Sequence, residues 1–243
     1  MTTKLRRCLS LAIAAAAAIA AAALSFSVSA FAESGESVVE RYFFDKIPPS
    51  GALIFQQRDG LEGTALSLAT ESPYTHVGII RMTGGGPYVM QSSPETLGVD
   101  EMPLEDFIEA GVDQKFAIYV TKKDYRPAGQ LNSPASLAAY DYYYFPYDDF
   151  YRPDSEAIYS AELIFKIFRD IGHPIGHLRK IADLNFDTEA GRRFLLNDWR
   201  ARPECQSGGM SRQACWDRIQ AEAIVTPKDL AEDGKLKLYM TTF

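Results

Sequence analysis

Cysteine and histidine, the side chains that hold zinc and its neighbours, are scarce. The 243 residues include three cysteines and three histidines. His173 and His177 flank Pro174 and Gly176, which break the helix that a metal pair spaced by four residues requires. Two or three cysteines far from those histidines do not make a structural zinc site, so no metal is expected. No glycine-rich loop is placed to cradle phosphate, so no cofactor is implied either. Basic clusters are also missing. The chain has 25 basic against 32 acidic residues, a formal net charge of −7, which argues against nucleic acid or an anionic membrane surface as its main partner. After the alanine-rich start there is no linker, internal repeat or low-complexity tract, which points to a single domain.

The first 32 residues read as a signal peptide. Lys4, Arg6 and Arg7 precede an alanine-dominated apolar run that ends in Ala30-Phe31-Ala32 before Glu33, the layout of a secretory leader with a small-residue cleavage site. Alanine is a weak membrane former, so no stable span is expected after cleavage, an uncleaved anchor being the alternative. Residues 33–243 then form one exported domain, periplasmic or secreted, long enough to bury a sizeable core. Its two cysteines, Cys205 and Cys215, bracket a short loop. An even pair in an exported chain reads as a disulfide, with two buried free thiols as the alternative. Closing so short a loop stabilises by about 3 kcal/mol at most on the chain-entropy model, so it pins a local excursion.

Along the chain, Ala52 to Gln56 is a short strand after the turn Pro48-Pro49-Ser50-Gly51, and Gly60 to Thr70 is a loop or short helix packed on it. His76 to Met82 and Tyr88 to Gln91 flank Thr83-Gly84-Gly85-Gly86, a hairpin signal. With the turn at Gly84-Gly85, Gly78 faces Gln91 and His76 is its diagonal neighbour on the same side. With the turn at Thr83-Gly84, His76 faces Gln91 directly. A turn of odd length would separate the two. Leu97 to Val99 and Met102 to Phe107 suggest a bend and one helical turn, and Lys115 to Thr121 alternates as a strand. Ser133-Pro134 caps a helix, Tyr142 to Tyr151 is dense in tyrosine and acid, Thr188 to Trp199 is amphipathic, Thr226 opens a capping box, and Leu236 to Met240 is a last strand.

Tyr159 to Phe168 predicts a helix that opens close to Ser160 and stops at Gly172, with Pro174 forbidding continuation. Ile164, Ile167 and Ile171 follow Ser160 at steps of four, three and four, which places the serine on the core-facing stripe. A nucleophile there would have the positive end of the helix dipole beside it. The alternative is that Ser160 only caps the helix.

Taken together, Ser72-Pro73-Tyr74-Thr75-His76-Val77-Gly78-Ile79, Tyr88-Val89-Met90-Gln91, Gly98-Val99 with Pro103-Leu104, Tyr147-Asp148 and Tyr159-Ser160-Ala161-Glu162-Leu163 resemble, in order, the motifs of the YiiX/YebB-like hydrolases, the circularly permuted branch of the NlpC-type papain-like amidohydrolases. The resemblance spans roughly residues 48 to 243. It implies an α+β fold in which an antiparallel sheet or partial barrel packs against the nucleophile-bearing helix. It also implies hydrolysis of an amide or ester bond in a cell-wall peptide, an N-acyl amino acid or a lipid-like substrate. Carried over by residue, His76 would be general base and then acid, Gln91 would orient it where the family often has glutamate, and Ser160 stands where the family has its cysteine. Tyr74, Tyr147, Asp148 and Glu162 fall inside the motifs and would line the cleft. A hydroxyl is too weak an acid to form a thiolate-like ion pair, and an amide brings no charge to an imidazolium. Ser160 is therefore the nucleophile of a serine variant, the relic of a pseudoenzyme that binds an envelope ligand, or a substituted cysteine.

Overall fold

The computed structural model describes residues 38–43, 46–123, 131–153 and 155–243. The leader expected over residues 1–32, and residues 33–37 after it, lie outside the described residues. Helix α1, Val38–Phe43, precedes six strands of one antiparallel sheet ordered β4-β3-β2-β1-β5-β8. These are β1 Leu53–Gln56, β2 His76–Thr83, β3 Gly86–Ser93, β4 Gly98–Pro103, β5 Phe116–Thr121 and β8 Leu236–Thr241. Helix α2, Gly60–Thr70, follows β1, and α3, Leu104–Glu109, follows β4.

Alternation along the strands divides the core between the two faces of the sheet. Leu53, Phe55, Val77, Ile79 and Met90 pack on one face with Leu163, Ile164, Ile167 and Phe168 of α5, Ser160–Asp170. Ile54, Ile80 and Val89 point the other way, against Phe43 of α1 and Leu104, Phe107 and Ile108 of α3. The fold is thus α+β, with helices on both faces of an antiparallel sheet.

Helix α5 opens and closes where its residues predict. Gly172 takes φ +75° and the His173 amide donates to the Phe168 carbonyl at 2.9 Å, so the chain leaves the helix through a left-handed residue that glycine adopts without strain.

One segment departs from expectation. Gly98 and Val99, read as part of a bend, and Met102 and Pro103, read as the start of a helical turn, instead belong to the edge strand β4, paired with β3 from Tyr88↔Pro103 to Ser93↔Gly98. Asp100, Glu101 and Pro103 are poor strand formers, and the ladder with β3 overrides their propensity. Gly98 has φ +153°, and a Cβ there would lie 2.1 Å from the Phe145 carbonyl oxygen. The close approach lets Val99 and Tyr144 exchange backbone hydrogen bonds with this segment, Val99 N to Phe145 O at 2.8 Å and Tyr144 N to Val99 O at 3.0 Å. The tyrosine-rich stretch is thereby stitched to the edge strand.

The C-terminal half adds α4, Pro134–Ala138, capped by Ser133; a two-stranded sheet of β6, Arg179–Lys180, with β7, Ala223–Ile224; α6, Glu189–Leu195, capped by Thr188; α7, Arg212–Ile219; and α8, Pro227–Ala231, with the expected Thr226/Asp229 capping box. Cys205 and Cys215 are bonded and tie the start of α7 to residues 203–205. Among the described residues no helix is long and apolar enough to cross a membrane.

Candidate active site

The β2–β3 hairpin turns at Gly84-Gly85, since Thr83 pairs with Gly86 and Ile79 with Met90. The ladder stops there, although β2 begins at His76 and β3 runs on to Ser93. The two strands therefore part at this end of the sheet, and the diagonal pair closes the gap with side chains. His76 Nε2 lies 2.6 Å from Gln91 Oε1, and the Gln91 amide nitrogen faces Met102 Sδ at 3.1 Å. With the Gln91 oxygen as acceptor, Nε2 carries the hydrogen and Nδ1 is left as the basic atom. Nδ1 takes part in no hydrogen bond among the described residues.

Two further groups surround the imidazole. Phe107 of α3 lies beside it at 5.7 Å between ring centres. Arg58, two residues beyond β1, donates from Nη2 to Gln91 Oε1 at 3.2 Å, so one amide oxygen serves both the imidazole and the guanidinium. Burial, and then the Arg58 charge, hold the His76 pKa down to about 3 against the opposing Gln91 hydrogen bond. His76 is consequently neutral across the physiological range.

Ser160 is the first residue of α5 and Tyr159 is its N-cap. The hydroxyl makes no hydrogen bond among the described residues, so it is not spent on capping. The approach to the helix is fixed by Ser92, whose Oγ donates to the Ile158 carbonyl at 2.5 Å. This anchors residue 158 next to Gln91 on β3. The apolar stripe of α5 packs on the face opposite Phe107, whereas His76 stands on the Phe107 side. Among the described residues Ser160 and His76 share no hydrogen bond, and His76 faces the layer of α3 rather than that of α5.

The other expected cleft residues fall into four places. The Tyr147 hydroxyl donates to Glu62 Oε2 at 3.1 Å and lies 2.7 Å from the Tyr151 hydroxyl. Burial raises the Glu62 pKa despite those phenols. Asp148 is buried and organises the loop before α5, accepting from Phe150 N at 2.9 Å, Arg152 N at 2.5 Å and Ser155 Oγ at 3.2 Å. Glu162 is fully buried with Lys166 Nζ at 2.7 Å from Oε1, yet neither carboxylate oxygen has a well-formed hydrogen bond. Burial outweighs the ammonium and pushes its pKa up to about 7. Tyr74 packs elsewhere, against Phe55, Tyr119 and Phe243. A cavity of about 210 Å³ lined by Ala52, Val120, Ser133, Phe168 and Ile171 involves none of these residues.

Sequence reasoning passed over Arg58, Gln56, Glu62 and Phe107. Gln56 pairs with His76 across β1–β2. With its amide nitrogen donating to the Phe107 carbonyl at 2.7 Å, its oxygen accepts from Arg58 Nε at 2.5 Å. The cluster of polar residues at the exit of β1 was the available signal, but only the strand register brings it to His76. Among the described residues no group of three or more histidine, cysteine, aspartate or glutamate side chains is placed to hold a metal ion.

The family described as permuted papain-like amidase enzymes, YaeF/YiiX, C92, matches residues 48–240. The chain is 23% identical over 179 residues to YiiX of Escherichia coli strain K12, an uncharacterized protein, across 73% of this chain and 86% of that one. The crystal structure of the metalloprotein YiiX from Escherichia coli O157:H7 superimposes with a TM-score of 0.62 at 20% identity, over 81% of this chain and 98% of that one. The likeness carries the fold.

Proposed function

The chain belongs to the permuted papain-like amidase family YaeF/YiiX, C92, and from that premise we propose that it is an exported hydrolase of amide or ester bonds in which Ser160 attacks and His76 manages the proton. The observation that carries the reading is the 2.6 Å contact between His76 Nε2 and Gln91 Oε1. It holds the ring in the tautomer whose Nδ1 is free to accept, the protonation state a general base needs before attack. Ser160 at the first turn of α5 has the helix N-terminus to favour negative charge developing on its oxygen.

In the first half-reaction the Ser160 oxygen bonds to the substrate carbonyl carbon while its proton passes to His76 Nδ1, a transfer for which the two side chains, not hydrogen-bonded in this structure, must come within reach directly or through one water. His76 then returns that proton to the departing amine or alcohol as the carbonyl–heteroatom bond breaks. Water, deprotonated by the same nitrogen, releases the acyl group and restores Ser160. A cell-wall peptide, an N-acyl amino acid or a lipid-like ester meets this chemistry. The alanine-rich leader and the Cys205–Cys215 bond support a location outside the cytoplasm, periplasmic or secreted.

The test is reaction with a serine-directed aryl phosphonate, followed by mass spectrometry. Stoichiometric modification at Ser160, slowed about 100-fold or more in His76→Ala, is the expected result, because a positioned base contributes at least that much. The low His76 pKa favours a second reading, in which the imidazolium that catalysis requires forms too rarely and the cleft only binds an envelope ligand. No modification of the parent at Ser160 would select the binder and end the hydrolase reading.

A further inference from the structure

The Arg58 guanidinium is half-buried and, among the described residues, has no carboxylate within ion-pair distance. Its side-chain hydrogen bonds go to neutral oxygens, Gln91 Oε1 at 3.2 Å and the Gln56 amide oxygen in the orientation set by Phe107. Its backbone amide is held by Thr75 Oγ1 at 2.8 Å, one residue before His76, and Phe107 lies 5.7 Å from the guanidinium carbon. Five N–H donors in a fixed fork are matched by two amide oxygens, and the charge is matched by none of the described side chains. Glu95 and Glu62 act on it only through space. Glu95 is exposed, and burial favours the neutral form of Glu62.

We propose that the Arg58 guanidinium, held in place by the Gln91 and Gln56 amide oxygens, forms an anion subsite beside His76 that recognises a free carboxylate on the ligand. A carboxylate offers the two coplanar oxygens that the guanidinium fork fits. A dianionic phosphate would bring twice the charge that one guanidinium offsets, so a monoanion is the better match. Such an anion would also offset the Arg58 field at the buried imidazole, placing the base and its partner charge in one bound complex. This rests on the hydrolase reading only for which bond is cut. The subsite would serve a binder equally well.

The experiment is isothermal titration of the Ser160→Ala full-length chain with N-decanoylglycine and with its methyl ester. The acid is expected to bind at least about tenfold more tightly than the ester, the worth of a charge-assisted hydrogen bond. In an added Arg58→Gln substitution that preference should fall to about twofold or less, and Arg58→Lys should keep part of it. Equal binding of acid and ester by the Ser160→Ala chain, a comparison that needs no change at Arg58, would overturn the proposal. A preference that survives Arg58→Gln would overturn it too, and inorganic phosphate displacing the acid at equal concentration would overturn the carboxylate assignment. Phosphonate reactivity at Ser160 without acid preference would leave hydrolysis standing and remove the subsite. Acid preference without phosphonate reactivity would do the reverse.

Discussion

Arg202→Ala is expected to lower the unfolding free energy by about 3–5 kcal/mol, the cost of breaking a buried charge pair from one side. Arg202 is 1% exposed. It donates from Nη2 to the Phe150 carbonyl at 2.9 Å, from Nη1 to the Leu195 carbonyl at 3.1 Å and from Nε to Glu204 Oε1 at 2.6 Å. One planar fork therefore joins the loop before α5 to the end of α6 and to the residues beside the disulfide. Alanine would leave two carbonyls without these donors and, among the described residues, a largely buried Glu204 with only the distant Arg152 guanidinium, at 3.9 Å. Lysine has the charge but not the fork and should recover little. Urea titration measures the loss directly. A change below about 1 kcal/mol, the range of an exposed pair, would show that the contacts carry no net stability. Adding Glu204→Gln to Arg202→Ala should restore part of the loss, because it removes the uncompensated acid.

Glu162→Gln is expected to make the protein relatively more stable as pH rises, by about 3 kcal/mol between pH 4.5 and about 7. The folded-state pKa is raised from 4.5, so below pH 4.5 both states are protonated and burial of Glu162 incurs no ionisation penalty. As pH climbs, the unfolded chain loses its proton first, and stability falls until the folded protein ionises near pH 7. His76 works in the opposite direction. Its folded pKa lies below 6.5, so its share of stability is complete above pH 6.5 and is lost as pH falls toward about 3. Between pH 4.5 and 6.5 the two slopes oppose each other. Denaturation midpoints of both proteins across pH 4.5 to 8 test this, and a constant difference would contradict a raised Glu162.

The parts of the fold that could be read in advance are those written in local pattern. The stripe Ile164 and Ile167 with Gly172 predicts α5, the glycine turn predicts β2–β3, and Thr226-Pro227-Lys228-Asp229 predicts the cap of α8. What escaped is set by distant partners. β4 exists because β3 supplies its ladder, against the propensities of Asp100 and Glu101. Arg202, in a polar run between Trp199 and Cys205, carries no local mark of burial, since only the folded chain delivers the carbonyls of Leu195 and Phe150 to it. The site divides in the same way. Hairpin parity anticipates the meeting of His76 and Gln91, and inward phase anticipates a buried Ser160. Arg58 and Gln56 reach His76 through the β1–β2 register, which no spacing along the chain announces. Residue patterns also left open whether Ser160 caps its helix, and the structure gives that position to Tyr159.

The hydrolase reading requires Ser160 and His76 to act on each other, although no hydrogen bond joins them among the described residues and His76 faces the layer of α3. Ser160→Cys tests it most directly, because a thiol reports the pairing as a rate without any substrate. Paired with His76 at a helix N-terminus, the thiol should ionise below its usual value near 8.5 and react quickly with iodoacetamide at neutral pH. His76→Ala on that background should slow modification at position 160 by about tenfold or more, as the thiol returns to its ordinary acidity. The same rate with and without the His76 imidazole would mean that the two side chains do not meet.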